Sequence, residues 1–192
     1  LSFLQYNDDR WGQKQRTGSF GSSKRHRRIN RGSTRSLSML RSFDELPDHS
    51  RVWIYMSDRP FSLDEEISVQ KNLENFIQSW SAHGNDLAAS ARIEYSQIIV
   101  IALDERQAQA TGCSIDKQFH LIQSLESELG LSLLDRMNIA LLDDGDIDII
   151  RISDIDSNQK DRIILDNTIQ DLGSFRKAWR KPAYESWMAR LF

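Results

Sequence analysis

The sequence contains a single cysteine, Cys113, so no internal disulfide can form and a reducing compartment, the cytoplasm, is the expected setting. No apolar run approaches the length that crosses a bilayer; the longest is Ile98 to Leu103. The N-terminus is polar and Arg-rich, which is not the pattern of a secretory signal. None of the nine glycines is followed by lysine, and that excludes the Gly-Lys-Ser/Thr phosphate loop. There is no Gly-Gly pair and no G-x-G-x-x-G dinucleotide fingerprint. One cysteine and four scattered histidines cannot make a structural zinc site, so neither metal nor cofactor is expected. Asp143, Asp144, Asp146 and Asp148 lack the spacing and terminal Glu of a calcium loop, and they read as a solvated turn.

What is present suits a folded domain. The 192 residues allow one domain with a tail, and 39% hydrophobic with 28% charged residues supports one sizeable core. The net charge of −3 hides an asymmetry: residues 1–50 sum to +5 and residues 51–192 to −8. The first segment is rich in Gly, Ser and Arg and poor in aliphatics, so residues 1–50 read as a disordered basic extension and 51–192 as a single domain. Lys24-Arg25-His26-Arg27-Arg28, with Arg31 and Arg35, is the kind of cluster that attaches to polyanions. Nucleic-acid binding is therefore expected only through this tail. The chain begins with Leu1 rather than Met, which suits a fragment or an extension upstream of a domain.

Order is expected from Arg51. Val52-Trp53-Ile54-Tyr55-Met56 has strand character. Ser62-Leu63-Asp64-Glu65 has capping-box spacing, and Val69, Leu73, Phe76, Ile77 and Trp80 then form one helical face, with Gly84 as the C′ residue. Residues 91–103 read as one strand, apolar on both faces from Ile98 onward. A second helix is expected from about Ser114 to Leu129, closed by Gly130. Met137–Leu142 and Ile147–Ile152 read as strands joined by a hairpin at Asp143-Asp144-Gly145-Asp146. Arg162–Leu165 is a further strand, and Ser174 caps a short helix carrying Phe175 and Trp179 that Pro182 breaks. The class that follows is α+β: a mixed or antiparallel sheet of about five strands with helices mainly on one face.

The start of the second helix draws the chemistry-bearing residues together. Ile115, Phe119, Ile122, Leu125 and Leu129 share one arc, taken as the core face. With Ile115 at zero, Asp116 falls at about 100°, His120 at about 140° and Cys113 at about 160°. Gly112, Cys113, Ser114, Asp116 and Lys117 would form a ligand site there, with His83 nearby. Backbone N–H groups at a helix start suit an anion or a thiolate. The plainer reading makes Ser114 the N-cap and Asp116 a first-turn acid. Ser114-x-x-Lys117 also has a nucleophile spacing, without the partner motifs that chemistry needs.

Arg51-Val-Trp-Ile-Tyr55, Ala82-His83-Gly84, Gly112-Cys-Ser-Ile-Asp-Lys117 and Pro182-Ala-x-x-Ser186-Trp187 together resemble a small bacterial family labelled "ABC transporter ATPase". The resemblance covers about residues 51–192, and members begin close to the Arg-Val-Trp segment. It implies ATP binding. The missing phosphate loop departs from that pattern, so hydrolysis is not expected, and the family brings no catalytic residues.

Two functions follow from the residues. The first is a cytoplasmic binding or regulatory domain, touching a protein or a small anionic ligand through Gly112–His120. The alternative is a thiol-dependent enzyme or anion-binding protein. There Cys113 is the nucleophile, His120 the base, Asp116 a further candidate and the helix N–H groups the donors.

Overall fold

A computed structural model describes residues 42–192. Residues 1–41, with the basic cluster at Lys24–Arg28, Arg31 and Arg35, lie outside the described residues, as do the readings placed on them.

Strand β5 (Ile98–Asp104) organises the domain, and all seven of its residues are buried. It lies between β1 (Arg51–Met56) and β4 (Ala88–Glu94), antiparallel to both. Side chains alternate across a strand. Ile99, Ile101 and Leu103 meet α1 (Leu63–Ser79) and α2 (Gly112–Leu129) on one face. Ile98, Val100 and Ala102 meet α3 (Leu172–Ala178) and a second sheet on the other. That sheet runs in the order β7 (Asp146–Arg151), β6 (Asn138–Asp143), β8 (Ile163–Leu165), β9 (Arg180–Pro182). A two-residue pair, β2 (Ser81–Ala82) with β3 (Asn85–Asp86), follows α1.

The α+β class expected from the sequence holds, with every pairing among the described residues antiparallel. The strands are divided over three sheets rather than gathered in one of about five. α1 and α2 share a face, and α3 takes the opposite one.

Several elements differ from the sequence expectation. Residues 91–103 are not one strand: the chain reverses through Tyr95 and Ser96, at φ 52° and 49°, to make the β4–β5 hairpin. Two consecutive left-handed residues give the turn whose twist matches a hairpin, although neither is Gly, Asn or Asp. Gly84 does not close α1, which ends at Ser79 with Trp80 as its C-cap. It sits instead with His83 in the β2–β3 turn, at φ 80° and 51°. The Asp144-Gly145 turn, at φ 47° and 101°, does join β6 to β7, and Arg162 pairs with Asp148 at 2.8 Å beside it. Asp171, not Ser174, caps α3, accepting from the Ser174 N–H at 2.8 Å. Pro182 ends β9 rather than breaking that helix.

The α1 capping box is present as expected, Ser62 with Glu65. Arg59 clamps Glu65 through two contacts of 2.8 Å and also donates to the Leu129 carbonyl at 3.0 Å, tying the start of α1 to the end of α2. The Arg59 guanidinium, then the Ser62 N–H, holds the Glu65 carboxyl down to about 2. Packing also reaches back into the segment read as an extension: Phe43 and Leu46 are buried against Val52, Met56 and Phe175.

Candidate functional site

The start of α2 differs from the sequence expectation in its cap and its face. Thr111 is the N-cap, accepting from the Ser114 N–H at 3.3 Å, and the Ser114 hydroxyl accepts from the Thr111 N–H at 2.7 Å. Gly112 and Cys113 therefore lie inside the first turn. The buried arc runs through Ser114, Gln118, Ile122 and Leu125, and Phe119 is 43% exposed. Two polar residues go inward with their side chains bonded, the Ser114 hydroxyl within the capping box to Thr111 and the Gln118 amide in the core. The Trp80 indole N–H donates to the Ser114 carbonyl at 2.8 Å, and the Gln118 amide donates to the Tyr55 hydroxyl at 3.3 Å. Hydrophobic periodicity cannot register polar residues buried in this way.

Cys113, Asp116, Lys117 and His120 are all exposed on the far side of α2. The structure does not bring Cys113 and His120 together. Seven residues of helix separate them by about 10 Å along the axis. His120 Nδ1 instead lies 3.1 Å from the Gln123 side-chain oxygen. His83 does come near the helix start: with Thr111, Asn85, Gln107 and Gln109 it lines a shallow depression of about 340 Å³.

A much larger groove, about 1050 Å³, runs along β1. Trp53, Tyr55 and Phe119 line it, with Leu133 and Leu134 from the loop after α2 and Trp187 from the C-terminal segment. β1 is an edge strand, so its outer side faces this groove. Burial raises the Tyr55 hydroxyl to about 12, against the opposing pull of Arg136, so it remains a neutral donor and acceptor at neutral pH. Arg51 stacks over the Trp53 ring at 4.6 Å and lies 4.0 Å from Glu105.

One end of the groove holds a histidine–carboxylate pair that the sequence did not suggest. Nε2 of His49 is 3.2 Å from Oδ1 of Asp104; the histidine side chain is 50% exposed and the carboxylate 0%. Asp104 also accepts from Arg106 Nε at 3.0 Å, Arg106 Nη2 at 2.9 Å and the Arg106 N–H at 3.1 Å. No side-chain hydroxyl or thiol bonds to His49 among the described residues. Its partners are 55 residues apart, and only the charge ending an apolar strand could have marked Asp104.

Asp104 carries a pH prediction. The Arg106 side chain, opposed by burial and aided by the Arg106 N–H and His49, holds this carboxyl well below the usual range. A carboxyl depressed on folding stabilises the fold above its unfolded value of about 3.9, and that contribution fades as pH falls towards the folded value. Asp104→Asn should therefore be less stable than the parent at neutral pH. Its melting temperature should also fall less steeply between about pH 4 and pH 2. Melting curves of parent and variant that stay parallel across that range would count against the assignment.

No helix among the described residues is long and apolar enough to cross a membrane. No protein-family model, curated protein or solved structure matches the chain.

Proposed function

We propose that this chain is a non-catalytic binding domain, working in the cytoplasm, that takes its partner in the groove along β1. The observation that supports the reading is an open strand edge walled by aromatic side chains: Trp53, Tyr55 and Phe119 line a groove of about 1050 Å³. The lining mixes these aromatics with charged and polar side chains, among them Arg51, Glu105, Asp135 and Arg136, and concave sites with convergent polar groups are where proteins take ligands. The contact surface thus moves from Gly112–His120 to the neighbouring edge of the sheet. Nothing comparable favours the thiol enzyme, because Cys113 and His120 stand apart on a solvated helix face. ATP hydrolysis is not part of the proposal, since no glycine precedes a lysine.

Fluorine NMR of protein labelled with 5-fluorotryptophan tests the reading. A panel of amino-acid amides, dipeptides and inorganic phosphate is titrated, with resonances assigned from Trp→Phe variants. Ligands should move Trp53 and Trp187, which line the groove, and leave Trp179, buried on the opposite face of the sheet, in place. Ligands that move none of these, and whose binding is lost on Cys113→Ser, would replace this reading with the α2 start.

A further inference from the structure

The outer edge of β1 is covered at both ends and open in the middle. At one end the Val52 N–H donates to the Gln170 carbonyl at 2.9 Å, and the Leu172 N–H to the Ser50 carbonyl at 2.8 Å. Just past the other end the Asp58 N–H donates to the Ser132 carbonyl at 3.1 Å. In an antiparallel ladder, alternate residues direct their N–H and C=O groups to opposite sides. Val52 directs its N–H away from β5, so Ile54 and Met56 do the same. Among the described residues neither the N–H nor the C=O of Ile54, nor the N–H of Met56, has a backbone partner. An edge of this kind is a template for another strand.

The groove beside that window has room for a chain segment. Its volume of about 1050 Å³ lies at the upper limit of small-molecule pockets. Its charges are unbalanced. Glu105 lies 4.0 Å from Arg51, and Asp135 pairs with Arg151 at 2.5 Å. Arg136 and Arg190 also line the groove, and neither has an ion pair among the described residues. The surplus is positive and calls for carboxylates, which the basic segment 24–35 of this chain does not offer. A nucleic acid fits less well. The open N–H and C=O groups of the β1 edge repeat at peptide spacing, and a nucleic acid has no backbone donor to pair with them.

Resting on the groove reading above, we propose that an acidic segment of a partner protein binds here in extended form, as an added strand on β1. Its backbone pairs with Ile54 and Met56. Alternate apolar side chains lie against Trp53, Tyr55 and Phe119, and its carboxylates are drawn to Arg136 and Arg190. Main-chain bonds supply affinity in this mode, and pockets for alternate side chains supply selectivity.

The test selects short random peptides on the immobilised full chain and titrates the best one in fluorescein-labelled form. Selected sequences should alternate apolar and polar residues and carry Asp or Glu. Methylating the peptide's backbone nitrogens one at a time should weaken binding about tenfold at alternate positions and little at those between. Ile54→Pro removes the edge N–H without touching the β5 ladder and should weaken binding similarly. Because methylation alters the ligand alone, the test holds even where that variant folds poorly. Arg136→Glu with Arg190→Glu should abolish the preference for acidic peptides. Uniform tolerance of methylation, basic selected sequences, tighter binding of a single-stranded oligonucleotide, or no enrichment at all would overturn the added strand. Phe119→Asp separates the two claims. Loss of binding there with methylation tolerated ends the strand and keeps the groove. Unchanged binding in Phe119→Asp ends the groove itself.

Discussion

The double variant Phe43→Ala/Leu46→Ala is expected to lose about 5 kcal/mol or more of folding stability, the sum of a Phe and a Leu truncation in a packed core. Sequence composition places both residues in the disordered basic extension 1–50. In the structure Phe43 is 7% and Leu46 1% exposed, and they close the core on the face of the central sheet opposite α1 and α2. Phe43 meets Phe175 edge-on at 6.0 Å, and the Arg92 guanidinium lies 4.2 Å over the Phe43 ring. Arg176 fixes the backbone of this segment. Its Nη2 donates to the carbonyls of Phe43, Asp44 and Leu46 at 3.3, 3.0 and 2.9 Å, and its Nη1 pairs with Asp48 at 2.5 Å. The planar fork reaches carbonyls and carboxylate together, which an ammonium cannot do. Arg176→Lys should therefore keep the pairing with Asp48, lose the carbonyl contacts and cost about 1–3 kcal/mol. Urea titration of the parent and both variants measures this. Neighbouring truncations do not add perfectly, so the double variant is judged on its total. A double variant whose midpoint matches the parent would show that residues 42–48 rest on the surface instead of closing the core.

The sequence marks those parts of this fold whose causes are local. Ile98–Leu103 is apolar at every position, and β5 is buried on both faces. Ser62 and Glu65 stand three residues apart and cap α1 reciprocally. Gly130, at φ 61°, ends α2 in the left-handed region that glycine enters without strain. Where the cause is distant, the sequence misleads. The β4–β5 turn carries no glycine, because the packing of Tyr95 against Trp179 at 6.0 Å holds it in place. α2 is turned relative to its apolar arc: the Ser114 hydroxyl is satisfied by Thr111 in the capping box, and the Gln118 amide N–H by the Tyr55 hydroxyl. The same rotation exposes Phe119 and directs Cys113 and His120 away from the groove. That β1 is an edge strand depends on strand order, and strand order is set by long-range pairing that no local pattern records.

Trp80→Ala is expected to destabilise the protein by about 3–5 kcal/mol and to loosen the groove at a distance. Trp80 is 1% exposed and sits where three elements meet. Its backbone N–H ends α1 on the Ile77 carbonyl at 3.3 Å. Its ring packs on Phe76 at 5.0 Å and edge-on to Trp53 of β1 at 6.0 Å. Its indole N–H donates to the Ser114 carbonyl of α2 at 2.8 Å, inside the core. Trp80→Phe keeps most of the apolar contact and removes that donor, so it should fold with a loss of about 1–3 kcal/mol. The consequence for binding runs through Trp53, whose ring forms the groove wall on one side and rests on Trp80 on the other. A double-mutant cycle between Trp80→Phe and Trp53→Phe should show coupling of about 0.5–1.5 kcal/mol, the range for aromatic pairs. The 5-fluorotryptophan resonance of Trp53 should broaden in Trp80→Phe while that of Trp179, on the opposite face of the sheet, stays sharp. A cycle that closes to zero, with an unchanged Trp53 resonance, would mean that the groove wall stands without its buried neighbour. The orientation of Trp53 would then have to come from Arg51, stacked over it at 4.6 Å.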